Sequence, residues 1–148
     1  MKNKTLATWL AFVGGPLGLH RFYLHGIGDL LGWILPIPTA LGLYGIERVQ
    51  RYGVDDQWSW LLIPLLGFTF AGCALTAIVY GLTSREKWNA RFNPAANEDA
   101  AAGRTSWFTI AAVALSLMMG TAVLMASIAF SFQRYFEYQV EEGRKISQ

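Results

Sequence analysis

The sequence predicts an all-α integral membrane protein with four transmembrane helices: an N-terminal tight helical hairpin, then two further spanning helices. Three observations carry that expectation. Only 15% of the 148 residues are charged against 53% hydrophobic, with a mean hydropathy of +0.31, whereas soluble domains carry about a quarter charged residues. Two stretches, 58–83 and 107–132, contain no charge, and a span needs about 20 mostly apolar residues because each rises about 1.5 Å through roughly 30 Å of hydrocarbon. Two shorter apolar segments near the N-terminus follow each other almost immediately, as the arms of a hairpin would.

The elements divide the chain into a hairpin at 1–50, a third helix with its preceding loop at 51–83, a polar connection at 84–106, and a fourth helix with a polar tail at 107–148. In the hairpin, "LATWLAFVGGPLGL" from Leu6 to Leu19 is short. It reaches spanning length if the helix runs on through Phe22 and Tyr23. Its partner, Ile27 to Ile46, carries Asp29, Pro36 and Pro38. Lys2 and Lys4 before an apolar core also suit a secretory signal peptide, but no A-x-A-like site follows, and an uncleaved helix is the preferred reading. In the polar connection, the part up to Phe92 predicts an interfacial helix with Trp88 and Phe92 on one face. Asn93 to Gly103 predicts a flexible, solvated linker. The tail from Gln133 suits a helix continuing out of the bilayer. No internal repeat and no low-complexity tract is expected.

Charge excludes little but is informative. The net charge is +2 without a Lys/Arg-rich tract, which argues against nucleic acid as a partner. The lipid bilayer is the partner implied directly. Four spans would put both termini on one side with Lys2, Lys4, Arg48, Arg51, Arg134, Arg144 and Lys145, against Arg21, Arg85, Lys87, Arg91 and Arg104 on the other. That excess predicts cytoplasmic termini, in a bacterial inner membrane.

The stretch "GGPLGLHRFYLHG" at 14–26 concentrates the chemistry. Small residues four apart let helix backbones approach in lipid, where no hydrophobic force drives association. Gly14 and Gly18 have that spacing on the first helix and Gly28 and Gly32 on the second, so the two are expected to meet through glycine faces. Ala112, Ser116 and Gly120 form a similar ridge on the last helix, for the bundle or for a second copy. Pro16, Pro36, Pro38 and Pro64 each remove a backbone donor, and Thr39 is placed to compensate locally. Arg21 and Asp29 stand at adjoining helix ends, where a carboxylate also suits the helix dipole, and are expected to pair across the turn. Phe22 and Tyr23 would anchor the turn at the interface. His20 and His25, five residues apart, share no helix face and have no Cys or carboxylate pair beside them, so no metal site is expected. Cys73 lies in an apolar run and predicts a packed, unreactive thiol. Glu47, where the second helix ends, is expected to pair with Lys2 or Lys4.

These residues resemble the TM-two domain family, small membrane modules of two helices joined by a short loop. Gly15, Gly18, His20, Arg21, Phe22, Tyr23 and Leu24 match its G-x-H-R-F-Y-L-G-like signature. His25 stands where the family has glycine, with Gly26 one place later, and Tyr44 and Glu47 occupy the places of a family Trp and Asp. The resemblance covers residues 2 to 50 and implies a membrane hairpin, without an established activity.

The sequence favours a non-catalytic structural or protein-interaction module that associates with itself or with another membrane protein. A component of a small transporter or channel is the alternative, suggested by the prolines and by Asp29 and Glu47 near helix ends. An enzyme is not expected, because no nucleophile, base and orienting group recur within reach, and no cofactor is implied.

Overall fold

A computed structural model describes residues 1–97 and 100–147, and among these every regular element is helical. The α-helices are α1 (Lys4–Gly14), α2 (Leu19–His25), α3 (Leu30–Ile34), α4 (Pro36–Tyr52), α5 (Gln57–Leu82), α6 (Arg85–Phe92) and α7 (Trp107–Ile146), with 3-10 turns at Gly15–Leu17 and Ala101–Gly103. Asn3, Asp29, Asp56, Ser84 and Ser106 each cap a helix by accepting the backbone N–H three residues on. A polar side chain there satisfies a donor that has no partner within the helix.

Three stretches are long and apolar enough to cross a membrane: Leu30–Tyr52, Gln57–Leu82 and Ala101–Ile146. The first is α3 and α4 in succession, joined through Leu35 in helical conformation, with Pro36 placed where its missing N–H removes little. α5 is the central element, and α1, α4 and α7 all pack on it. Close approach is made at glycines: a methyl group at Gly120 would fall 2.7 Å from the Ala74 Cβ, and one at Gly45 2.7 Å from the Leu62 Cβ. The ridge Ala112, Ser116 and Gly120 is buried and therefore serves the bundle. Large apolar side chains such as Leu61, Leu75, Phe108, Met118 and Phe132 point outward. α7 runs antiparallel to α5, from Gly81 beside Val113 to Trp60 beside Tyr138, and continues well past the end of α5.

The N-terminal segment departs from the expected single helix running through Tyr23. α1 has 11 residues, about 16 Å of rise, and the chain then folds back. Tyr23 at the end of α2 meets Asn3 at the start of α1, while Gly14 packs on Leu19. The cause is local. Pro16 has no N–H, and Gly18 takes φ +74° in the left-handed region, where an L side chain is strained. Gly18 also lies against the Gly32 carbonyl, leaving no room for a side chain. The tip of this α1–α2 hairpin rests on Cys73, nine residues before Leu82 and so about 14 Å down α5. The Thr39 hydroxyl donates to the Pro16 carbonyl at 2.8 Å and to the Leu35 carbonyl at 3.2 Å, so its compensation is tertiary as well as local.

The fold-back relocates the termini. The N-terminus lies at the Leu82 end of the bundle, where Lys4 bonds to Thr83, and α7 carries the C-terminus to the Gln57 end. The expectation that both termini share a side depended on a full crossing by the first segment.

Candidate functional site

Residues 20–33 build a turn at the Leu82 end, while Gly14 to Gly18 form the hairpin tip further down α5. α2 ends at His25, and Gly26 reverses the chain with φ 88° and ψ 174°, its N–H donating to the Phe22 carbonyl. Asp29 caps α3 by accepting from the Gly32 N–H at 3.1 Å. Arg21 donates to the same carboxylate in a fork, Nε to Oδ2 at 2.7 Å and a terminal nitrogen to Oδ1 at 3.0 Å. The two side chains are 23% and 15% exposed, a depth at which a forked, charge-assisted pair gives geometry as well as energy. The Arg21 guanidinium holds the Asp29 carboxyl below the ordinary carboxylate range, assisted by the Gly32 N–H. Trp33 closes the turn by donating its indole N–H to the Ile27 carbonyl at 2.8 Å, and it lies exposed against Phe22 at 5.2 Å between ring centres.

The other signature residues face the N-terminus and α6. Tyr23 receives the Asn3 N–H on its hydroxyl at 2.8 Å and the Lys2 ammonium on its carbonyl at 2.5 Å. His20 is buried edge-on to Tyr80, 6.1 Å between ring centres, and His25 sits similarly against Phe92. Among the described residues, His20 Nδ1 is a buried side-chain nitrogen with no hydrogen-bond partner.

The expected glycine faces are half realised. Gly18 meets Gly32, but Gly14 packs within its own hairpin, and Gly28 is exposed with open space around it. Gly28 lies in the turn, outside any helix, so it cannot form a helix face. Glu47 pairs with Arg51 one turn on, and Tyr44 approaches Arg48 at 3.5 Å. Glu47 does not reach Lys2 or Lys4, because those lysines sit at the opposite end of the bundle.

Sequence reasoning missed a polar strap at the Leu82 end. The Lys2 carbonyl accepts from Trp88 Nε1 at 2.9 Å and Asn93 Nδ2 at 3.1 Å, while its N–H donates to Asn93 Oδ1. Lys4 is fully buried, its ammonium donating to the Thr83 carbonyl at 2.9 Å and Thr105 Oγ1 at 2.7 Å. Trp88 is fully buried with Phe92 and Tyr80, so α6 covers the hairpin rather than presenting its aromatics to lipid. The linker expected from Asn93 to Gly103 is likewise anchored, with Asn93 and Gly103 both buried, although positions 98 and 99 lie outside the described residues. Two asparagines one turn apart, Asn89 and Asn93, were the available sequence signal.

Chemically, the Arg21–Asp29 pair is a clasp that holds the turn closed. Its carboxylate accepts two bonds from Arg21 and one from the Gly32 N–H, and among the described residues no three His, Cys, Asp or Glu side chains gather for a metal. Comparison of the chain with protein-family models, curated proteins and solved structures finds no match in any of the three.

Proposed function

We propose that the chain is a multi-pass integral membrane protein acting as a non-catalytic packing or interaction module, whose partner is a second copy or another membrane protein. One observation supports this most: three long apolar helices turn large apolar side chains outward, while the ionisable groups of the turn are engaged in holding the chain together. On this reading the α1–α2 hairpin enters the bilayer and returns, and its irregular tip is tolerated because it is buried in protein. The resemblance to the TM-two family covers residues 2 to 50 and supports membrane insertion of that region, though that family has a first helix that crosses where this chain folds back.

Three crossings place the termini on opposite sides. Lys2, Lys4, Arg21, Arg85, Lys87, Arg91 and Arg104 then face Arg48, Arg51, Arg134, Arg144 and Lys145, which favours a cytoplasmic N-terminus in a bacterial inner membrane. The second reading is a transporter or channel component, favoured by the broken hairpin, since interrupted helices frame binding sites in some transporters.

The test is alkaline extraction of membranes holding the tagged full chain, then native mass determination after gentle solubilisation. Retention at high pH with a stoichiometric second chain is the expected result. Release at high pH overturns the membrane reading, and a lone chain that conducts ions in liposomes replaces the interaction module with the transport reading.

A further inference from the structure

The chain does contain an internal repeat. Gly15, Gly18, Arg21, Gly26, Asp29 and Trp33 are each matched 27 residues later, by Gly42, Gly45, Arg48, Gly53, Asp56 and Trp60. From Arg to Trp, the structure repeats the same set of hydrogen bonds, to which the second turn adds the Ser59 hydroxyl on Asp56 and the Tyr44 hydroxyl beside Arg48.

Arg48 forks onto Asp56 as Arg21 does onto Asp29, Nε to Oδ2 at 2.8 Å and a terminal nitrogen to Oδ1 at 2.7 Å. Asp56 caps α5 through the Ser59 N–H at 3.0 Å, as Asp29 caps α3 through Gly32. Trp60 donates to the Val54 carbonyl at 2.8 Å, the bond Trp33 makes to Ile27. Gly53 reverses the chain with φ 87° and ψ 178°, against 88° and 174° at Gly26, and each donates its N–H four residues back. Neither glycine has a neighbour within 4 Å of a methyl group added there, so backbone conformation alone demands glycine at both.

We infer that residues 42–60 are a second copy of the 15–33 turn unit, inverted along the bundle axis, and that Arg48, Gly53, Asp56 and Trp60 form a second positioning site equivalent to Arg21, Gly26, Asp29 and Trp33. The first turn stands at the Leu82 end and the second at the Gln57 end, so the same clasp closes a helix pair at each. The shared residues are the scaffold. The residues that differ carry what is particular to each end: His20, Tyr23 and His25 engage the N-terminus, Tyr80 and Phe92 in the first, where Glu47, Gln50 and Tyr52 stand in the second. Arg21 is accordingly a positioning residue, and recognition of any partner at that turn falls to its neighbours. This inference goes beyond the interaction role proposed above and does not depend on it.

The experiment uses the full chain in detergent micelles and reads the thermal midpoint by near-ultraviolet circular dichroism. Arg21→Lys and Arg48→Lys keep the charge and lose the fork, and Asp29→Asn and Asp56→Asn keep the cap. Each Arg variant is expected to lower the midpoint by about 2–4 °C, with the Arg and Asp changes non-additive within each turn and additive between turns. Exchanging the exposed loop residues, Ile27→Val with Gly28→Asp and Val54→Ile with Asp55→Gly, is expected to leave the midpoint unchanged. Coupling in the first turn with none in the second, or an exchange that unfolds the chain, overturns the equivalence. An unchanged midpoint in both Arg21→Lys and Arg48→Lys refutes the positioning role of the two arginines.

Discussion

The two turns share a clasp and differ in their arms. At the Gln57 end, α4 and α5 leave the turn as long continuous helices packed through Gly42 and Gly45. At the Leu82 end, α2 lasts only seven residues before the chain reverses again at Gly18. Gly18 and Gly45 are the same position of the repeat, yet one is left-handed and the other helical. Pro16 interrupts the first arm two residues upstream, where the second has Leu43. The surroundings of the arginines differ as well: Arg48 lies near the rings of Tyr44 and Tyr52, at 5.8 and 5.0 Å, positions filled by Leu17 and His25 in the first copy. A clasp can therefore set where a chain reverses without setting how deep its arms run.

Breaking the arms should have the largest effect. Gly18→Ala combines left-handed strain with a collision against the Gly32 backbone, and is expected to cost about 3–5 kcal/mol and to abolish the first hairpin. Gly45→Ala keeps an ordinary helical backbone but meets the Leu62 Cβ at 2.7 Å and the Ile63 backbone nitrogen at 3.0 Å, and should cost about 1–3 kcal/mol. Chemical unfolding of the two variants side by side checks this order. An equal loss in both would mean that the left-handed turn adds nothing.

Breaking the clasp at its shared glycine should be intermediate and symmetrical. Gly26→Ala and Gly53→Ala both force an L residue into a region that is essentially glycine-only, for about 1–3 kcal/mol each. Equal midpoints in thermal unfolding sharpen the equivalence of the turns. A large difference between them would show that one loop relaxes where the other cannot.

Acid should have the smallest effect. Arg21 and Arg48 hold the Asp29 and Asp56 carboxyls below their ordinary range. A carboxyl with a depressed folded value stabilises the fold above its unfolded value, about 3.9, and that contribution is lost as pH falls through the folded value. The midpoint is expected to be flat from pH 7 to 5 and to fall below about pH 4. Asp29→Asn and Asp56→Asn should each flatten part of that fall. A decline already present at pH 6 would point to a group outside the clasps.

Much of this was legible locally. The Arg21 and Asp29 positions at adjoining helix ends announced their contact, because a helix end and a cap are short-range features. The continuous apolar runs of α5 and α7 marked themselves by length. The second clasp was equally present in the letters, but "ERVQRYGVDDQWSW" shares few residues with "HRFYLHGIGDLLGW", and only the common hydrogen bonds show which of them matter. The burial of Lys4 and Trp88 was not legible, since their partners at Thr83, Thr105 and Lys2 are far away in sequence.

By itself the sequence determined the helical class, the long apolar helices and the Arg21–Asp29 reversal, because caps, prolines, glycine-only turns and apolar length act over a few residues, while the Arg48–Asp56 reversal emerged from its hydrogen bonds. Only the tertiary structure decided that the first apolar segment folds back after 11 residues, that the termini lie at opposite ends, and that α6 covers the hairpin. Those outcomes turn on which surface a helix meets. Gly18 is left-handed against the Gly32 backbone and Gly45 helical against Leu62, and the glycine itself permits either.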